Sequence, residues 1–192
     1  ASGVTYYYEL KPPGVASGTR NPVALAEQLV DVGTSDRTLG NASADYDIIP
    51  SLTARVNVGV DRTGGDRNFY APRMSAYGAG FNGQAFRANR DETNQQLQTL
   101  LTFHPTLGSA RELDVVGGYE YNETNVNEFS VETRDYLTDA FTFNNLGGGN
   151  IVQPPNSFRT ESRLVSFFGR ANASFAEKYF LTLVIRKDGA SQ

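Results

Sequence analysis

The feature that most constrains this chain is a strict two-residue alternation of side-chain character, repeated in neighbouring segments. In residues 41–48, Asn41, Ser43, Asp45 and Asp47 alternate with Ala42, Ala44, Tyr46 and Ile48. In residues 54–61, Ala54, Val56, Val58 and Val60 alternate with Arg55, Asn57, Gly59 and Asp61. Successive Cβ atoms of a strand point to opposite faces, so each segment reads as a strand with one apolar and one polar face. Ile49, Pro50 and Ser51 between them carry a turn signal, which makes the pair a hairpin. A second hairpin joins residues 96–103 to 113–121. Leu97, Leu101, Phe103, Val115, Tyr119 and Tyr121 share one face; Gln96, Gln98, Asp114 and Glu120 share the other. A third joins residues 165–175 to 179–186. Val165, Phe167, Gly169, Ala171, Ala173 and Phe175 match Tyr179, Leu181, Leu183 and Ile185 across Ala176, Glu177 and Lys178.

The three hairpins predict an all-β antiparallel meander of about six long strands, near 37–48, 52–62, 93–104, 112–127, 161–175 and 179–188. Residues 1–36 are expected to be a loop and short helix leading into it, and 37–192 the sheet. The helical candidate is 22–32, with Pro22 in the first turn, Ala24, Leu25 and Leu29 on one face, and Gly33 as a cap. Tyr6, Tyr7 and Tyr8 could close an earlier strand ended by Pro12, Pro13 and Gly14. The links between hairpins are long, 63–91 and 128–160, and rich in Gly, Asn, Arg and aromatics. Short turns at one end and long loops at the other are the asymmetry of an outer-membrane barrel. The predicted apolar faces carry many small residues: Ala42, Ala44, Ala54, Gly117, Gly169, Ala171 and Ala173. Lipid tails accommodate such residues better than the interlocked core of a sandwich. Tyr46, Phe103, Phe175 and Tyr179 stand near the short turns. They read either as an interfacial aromatic girdle or as hairpin-end pairing.

Composition narrows the chemistry. Cysteine is absent, which removes disulfides, thiolate ligands and a cysteine nucleophile. His104 is the only histidine, so multi-histidine zinc sites are excluded, and before Pro105 it reads as a turn or interface residue. The net charge of −4 argues against a nucleic-acid partner. No apolar run reaches the roughly 18 residues of a membrane helix. No signal peptide is visible, so the chain reads as mature or as a fragment. Gly147, Gly148, Gly149 and Asn150 lack the Lys-Ser/Thr of a phosphate loop and predict a flexible connection. Asp45 and Asp47 on one strand face do not make a glycosidase pair, which sits across a cleft. Asn41, Asn122 and Asn172 begin Asn-X-Ser/Thr triplets, which would carry no meaning were the chain bacterial. No catalytic constellation, metal site or cofactor site is expected, and the chain is not read as an enzyme.

Several short pieces, in order, resemble one family. Residues 166–172 (Ser-Phe-Phe-Gly-Arg-Ala-Asn), 177–181 (Glu-Lys-Tyr-Phe-Leu) and 186–191 (Arg-Lys-Asp-Gly-Ala-Ser) are similar to a recurrent barrel segment of the SusC/RagA TonB-dependent outer-membrane receptors. So are Asn21, Pro22, Val23 and Ala24; Gly40 and Asn41 followed by Tyr46, Ile48 and Leu52; and Tyr70, Ala71 and Pro72. Ala173 departs from the pattern, where tyrosine is common. The resemblance implies a transmembrane barrel of about 22 strands with an N-terminal plug. It implies import of oligosaccharides or peptides with a SusD-type lipoprotein, energised through TonB. On this reading the chain is a barrel fragment in the bacterial outer membrane. Its partners are the remaining barrel and plug, the lipoprotein, TonB through the missing plug region, and lipid. Arg67, Tyr70, Arg73, Tyr77 and Asn82 combine aromatic faces with hydrogen-bond donors and are the expected ligand-binding residues of the outer loop.

The competing reading is a secreted carbohydrate-binding β-sandwich, with Tyr70, Tyr77, Phe81 and Phe86 stacking on sugar rings. A shared core burying Val56, Leu101 and Leu183 would favour it. Register separates the two at residue level, because a one-residue slip exchanges the faces. A turn centred on Pro50 sets Asp45 opposite Arg55, Ser43 opposite Asn57 and Ala44 opposite Val56. One centred on Glu177 sets Phe175 opposite Tyr179, Ala173 opposite Leu181, and Asn172 opposite Thr182.

Overall fold

The computed structural model describes residues 21–108, 111–176 and 178–191. The expectations for Tyr6–Tyr8, for Pro12–Gly14 and for Glu177 itself lie outside the described residues. Helix α1 (Pro22–Gln28) is followed by β1 (Val30–Ile49), β2 (Leu52–Ala71), β3 (Gln84–Phe103), β4 (Arg111–Tyr136), β5 (Gly149–Val152), β6 (Asn156–Phe175) and β7 (Tyr179–Ser191). All seven strands belong to one sheet, in the order β1-β2-β3-β4-β6-β7, with the short β5 paired to β4. The predicted meander is present; β1, β2, β3, β4 and β6 extend well beyond their predicted limits, and the short β5 lies where a loop was expected. Residues 63–71, 84–91 and 128–136 were expected in loops and are strand instead. In these stretches apolar residues fall on both faces among polar ones: Phe69 and Tyr70, and Ala85 and Phe86, are consecutive. Where apolar and polar residues are mixed on both faces, no hydropathy alternation reveals the strand.

The chain divides into two compact units, whose described parts are residues 21–35, 65–90 and 128–158 (unit 1) and 36–64, 91–108, 111–127, 159–176 and 178–191 (unit 2). Unit 2 holds the hairpin ends. β6 and β7 pair with Phe175 opposite Tyr179, Ala173 opposite Leu181, and Asn172 opposite Thr182, the register expected from a centre at 177. In the first hairpin the guanidinium of Arg55 meets both carboxylate oxygens of Asp45 at 2.5 and 3.0 Å, and Thr53 donates to Asp47 at 2.7 Å. Both contacts have the parity of a turn at Pro50. The polar side then continues strand by strand: Asn57 donates to Gln98, Gln96 to Glu120, and Arg186 to Glu120 and Ser166. The Tyr119 and Phe167 rings meet at 5.1 Å on the opposite side, and the Arg111 guanidinium lies 5.3 Å from the Phe175 ring centre.

That opposite side is apolar and open. Val56, Leu101 and Leu183, the residues a sandwich would bury, are 42%, 51% and 60% exposed. Among the described residues of unit 2, no hydrophobic side chain is buried. A two-sheet sandwich is therefore not the fold; the described strands make one sheet. His104 follows β3, as expected of a turn residue. Its backbone N–H donates to the Ser51 carbonyl, and its ring lies 3.7 Å from Asp114.

Unit 1 has the core that unit 2 lacks. Tyr70, Ala85 and Tyr136 are buried together, with Val30, Phe143 and Leu146 packed against them. α1 is capped by Asn21, whose side-chain oxygen accepts from the N–H groups of Val23 and Ala24, and Pro22 occupies the first turn. The helix is shorter than predicted. It ends at Gln28, and Gly33 lies in β1 rather than at a cap, because the β-branched Val30, Val32 and Thr34 favour the strand. Gly147–Asn150 is not a loose connection either. Leu146–Gly148 forms a 3-10 turn, and Gly149 pairs with Tyr136 as β5 begins.

Candidate functional site

The five residues expected to bind ligand all fall in unit 1, on the end of β2 and the connection to β3. That connection is built from close approaches. A Cβ at Gly78 would lie 2.1 Å from the Pro72 carbonyl oxygen, so no larger residue fits. Ser75 accepts from the Gly78 N–H and donates to the Pro72 carbonyl, closing the turn. Asn82 and Gly83 turn back with positive φ, a conformation that asparagine and glycine adopt readily.

The connection is locked to the far end of β4. The N–H groups of Asp135 and Tyr136 donate to the carbonyls of Gly83 and Asn82. The Asp135 carboxylate accepts from Asn82 at 2.7 Å and Asn150 at 3.0 Å, which hold its carboxyl below the usual range. The Tyr70 and Tyr136 rings meet edge to face at 5.6 Å, and the Tyr136 hydroxyl bonds Thr133. Tyr70 donates to Asp139 at 2.8 Å, and the same carboxylate accepts from the Arg73 backbone at 3.0 Å. Burial first, then the Asp139 carboxylate, pushes the Tyr70 hydroxyl well above its ordinary pKa.

This geometry sorts the expected residues. Tyr70 is fully buried, and its hydroxyl is engaged by Asp139. It is a core residue of the connection, packed with Ala85 and Tyr136. Asn82 likewise supports the turn through Asp135 and the Tyr136 carbonyl. Tyr77 is half exposed, and Arg73 is partly exposed beside Asp139. Arg67 is exposed on β2, where it holds Asp31 of β1 by two hydrogen bonds of 3.0 and 2.7 Å. Phe81, a stacking residue in the sandwich reading, is covered by the Arg134 guanidinium at 4.0 Å.

Arg67 opens onto a groove of ≈ 440 Å³ within unit 1, shared with Phe86, Arg90, Glu128, Ser130 and Asn156. Arg90 and Glu128 form an ion pair along it. The groove offers guanidinium and carboxamide donors, the carboxylates of Asp66 and Glu128, and the rings of Phe86 and Phe129. These groups suit hydrogen bonding and charge pairing, not bond making. Of its residues, Arg67 was expected to bind ligand and Phe86 was a stacking residue of the sandwich reading. The parity that places Asp45 and Arg55 on one face, carried along β2 and β3, would have found Arg90 as well.

No protein-family model matches the chain. It is 33% identical over 171 residues to the TonB-dependent receptor P3 of Formosa agariphila, covering 89% of this chain and 17% of that protein. It is 25% identical over 175 residues to the TonB-dependent receptor SusC of Bacteroides thetaiotaomicron, covering 90% and 17%. The fold superposes on the structure of the RagAB peptide transporter with a TM-score of 0.84, at 17% identity, over 94% of this chain and 20% of that one. The chain is of the SusC/RagA type. As a SusC/RagA-type segment it spans 17–18% of the length of the curated relatives it matches. Its single antiparallel sheet matches part of a receptor barrel wall. TonB-dependent receptors of the SusC/RagA type are outer-membrane proteins, and the relatives are named as receptors and importers rather than enzymes.

Proposed function

We propose that this chain is barrel wall of an outer-membrane receptor that imports oligosaccharides or peptides together with a SusD-type lipoprotein, driven through TonB. The observation that carries this reading is the two-sided character of unit 2. Its apolar side leaves Val56, Leu101 and Leu183 open, while its other side is crossed by ion pairs and carboxamide bonds. A barrel wall needs such a sheet, because lipid meets one side and the water-filled lumen the other. Residues 37–192 would be wall, entered from the residues before them. Tyr46, Phe103, Phe175 and Tyr179 would sit at the periplasmic interface of the bilayer, where aromatic rings concentrate.

Ligand would meet the groove of Arg67, Phe86, Arg90 and Glu128, and also Arg73 and Tyr77 of the connection from β2 to β3. Tyr70 and Asn82 would hold that connection in shape. Ligand classes with hydroxyl, amide or carboxylate groups fit these donors. The test is uptake by cells carrying the complete receptor and its lipoprotein, supplied with maltooligosaccharides or a tryptic digest of casein. Alanine at Arg67 and at Tyr77 is expected to raise the KM for uptake while surface abundance stays unchanged. Unchanged uptake in both variants would remove the groove from the reading.

A further inference from the structure

On the apolar side of unit 2, charge begins at one level on several strands. Arg62 lies twelve positions from Pro50, Asp91 twelve from Phe103, and Arg163 twelve from Phe175. At about 3.3 Å per residue and a tilt of about 35–45°, twelve residues rise roughly 28–32 Å, close to the thickness of a hydrocarbon core. At that level the charges are paired. Arg62 stands 3.6 Å from Asp91, and Arg163 lies 3.4 Å from Glu123 and also pairs with Glu161. Lys187 breaks this order. It is opposite Phe167, so it shares the apolar side four positions short of the level of Arg163. Its side chain is exposed, and among the described residues no carboxylate pairs with it. Beyond it on β7, Gly189 and Ser191 face the same side, opposite Val165 and Arg163. A Cβ at Gly189 would meet nothing within 4 Å, so the surface between Lys187 and Ser191 is bare.

An ammonium group at the margin of hydrocarbon is unfavourable unless it reaches water or an anion. A lysine stem is apolar and long, so it can run over Gly189 while its head stands at the headgroup level. The anion met at that level is the phosphate of a lipid, which a lysine ammonium binds as a point charge. We infer that Lys187, Gly189 and Ser191 seat the phosphate of a lipid headgroup in the outer leaflet. Lys187 supplies the charge, Ser191 a hydrogen bond, and Gly189 the room. Arg163, already shared by two carboxylates, borders the seat without carrying it. The inference rests on the reading of this side as lipid-facing and of the short turns as periplasmic.

The test uses the complete receptor with its lipoprotein, purified in dodecyl maltoside and stripped of lipid. Bisphosphorylated lipid A is titrated in, and native mass spectrometry reads how many lipid molecules stay bound. Lys187→Gln, which removes the charge, and Gly189→Val, which fills the room, are each expected to lose one bound lipid A. Lys178→Gln removes the same charge at the short-turn end and is expected to lose none. Lipid A with both phosphates removed should bind the natural sequence only as far as lipid A binds Lys187→Gln. Inorganic phosphate should displace nothing. A nitroxide on Ile185→Cys, two positions from Lys187 on the same side, reports the facing separately in the same micelles. Relaxation by oxygen and not by a nickel chelate marks contact with the apolar phase. With that result, unchanged lipid A retention in Lys187→Gln, equal retention of the dephosphorylated lipid, or displacement by inorganic phosphate overturns the seat alone. Relaxation by the nickel chelate overturns the lipid-facing reading beneath it.

Discussion

At the residue scale, the connection from β2 to β3 depends on two positions with different physics. Gly78 is there because the Pro72 carbonyl occupies the space of a Cβ, 2.1 Å away. Gly78→Ala should therefore destabilise unit 1 by about 2 kcal/mol or more, read as faster amide exchange at residues 72–83, since the neighbouring atom is backbone and cannot step aside. Tyr70 is there for its ring and its hydroxyl together. Tyr70→Phe keeps the ring contact with Tyr136 and removes the bond to Asp139, with an expected loss of about 1 kcal/mol. The same hydroxyl gives a pH signature. Its folded-state pKa is raised, so its contribution is intact below the unfolded value of about 10 and is lost as pH rises above it. Corrected for the base-catalysed rise of the intrinsic rate, amide protection in the connection should fall above that pH in the natural sequence and not in Tyr70→Phe.

At the element scale, β7 is the sharpest reporter of facing. Thr182 and Leu183 are consecutive, opposite Asn172 and Ala171. Consecutive strand residues point to opposite faces. In the complete receptor, Leu183→Arg should cost up to about 2–4 kcal/mol in folding into bilayers, while Thr182→Arg should cost little. Heat-modifiable mobility on gels measures both. Equal tolerance of the two would contradict the lipid-facing assignment of the apolar side. Asp45→Asn is expected to leave that mobility unchanged, because both partners of its ion pair are about half exposed and water substitutes readily for Arg55.

At the scale of the whole molecule, the 192-residue chain expressed alone should require detergent to remain dispersed. Exposed Val56, Val58, Leu101, Leu181, Leu183 and Ile185 share one side, and β1 and β7 each offer an edge with unpaired backbone groups. Light scattering with and without detergent is the measurement, and a stable monomer in plain buffer would contradict the barrel-wall reading.

Residue order alone determined the hairpins, their registers and the identity of the two faces. Asp45 with Arg55 and Phe175 with Tyr179 follow from parity, because side-chain alternation is local and the turns at residues 49–51 and 176–178 leave few registers that keep both faces consistent. Alternation is legible only where the two faces meet different surroundings. Residues 63–71 and 128–136 mix polar and apolar residues on both sides, so their strands surface only through pairing with neighbours distant in sequence. Likewise the motif Tyr70-Ala71-Pro72 marked an outer connection, but not that Tyr70 lies inside it. That was decided by Asp139 and Tyr136, 69 and 66 positions away, which exclude water from the ring and take its proton donor. Burial is a property of what packs on a residue, and only the tertiary structure brought those partners to it.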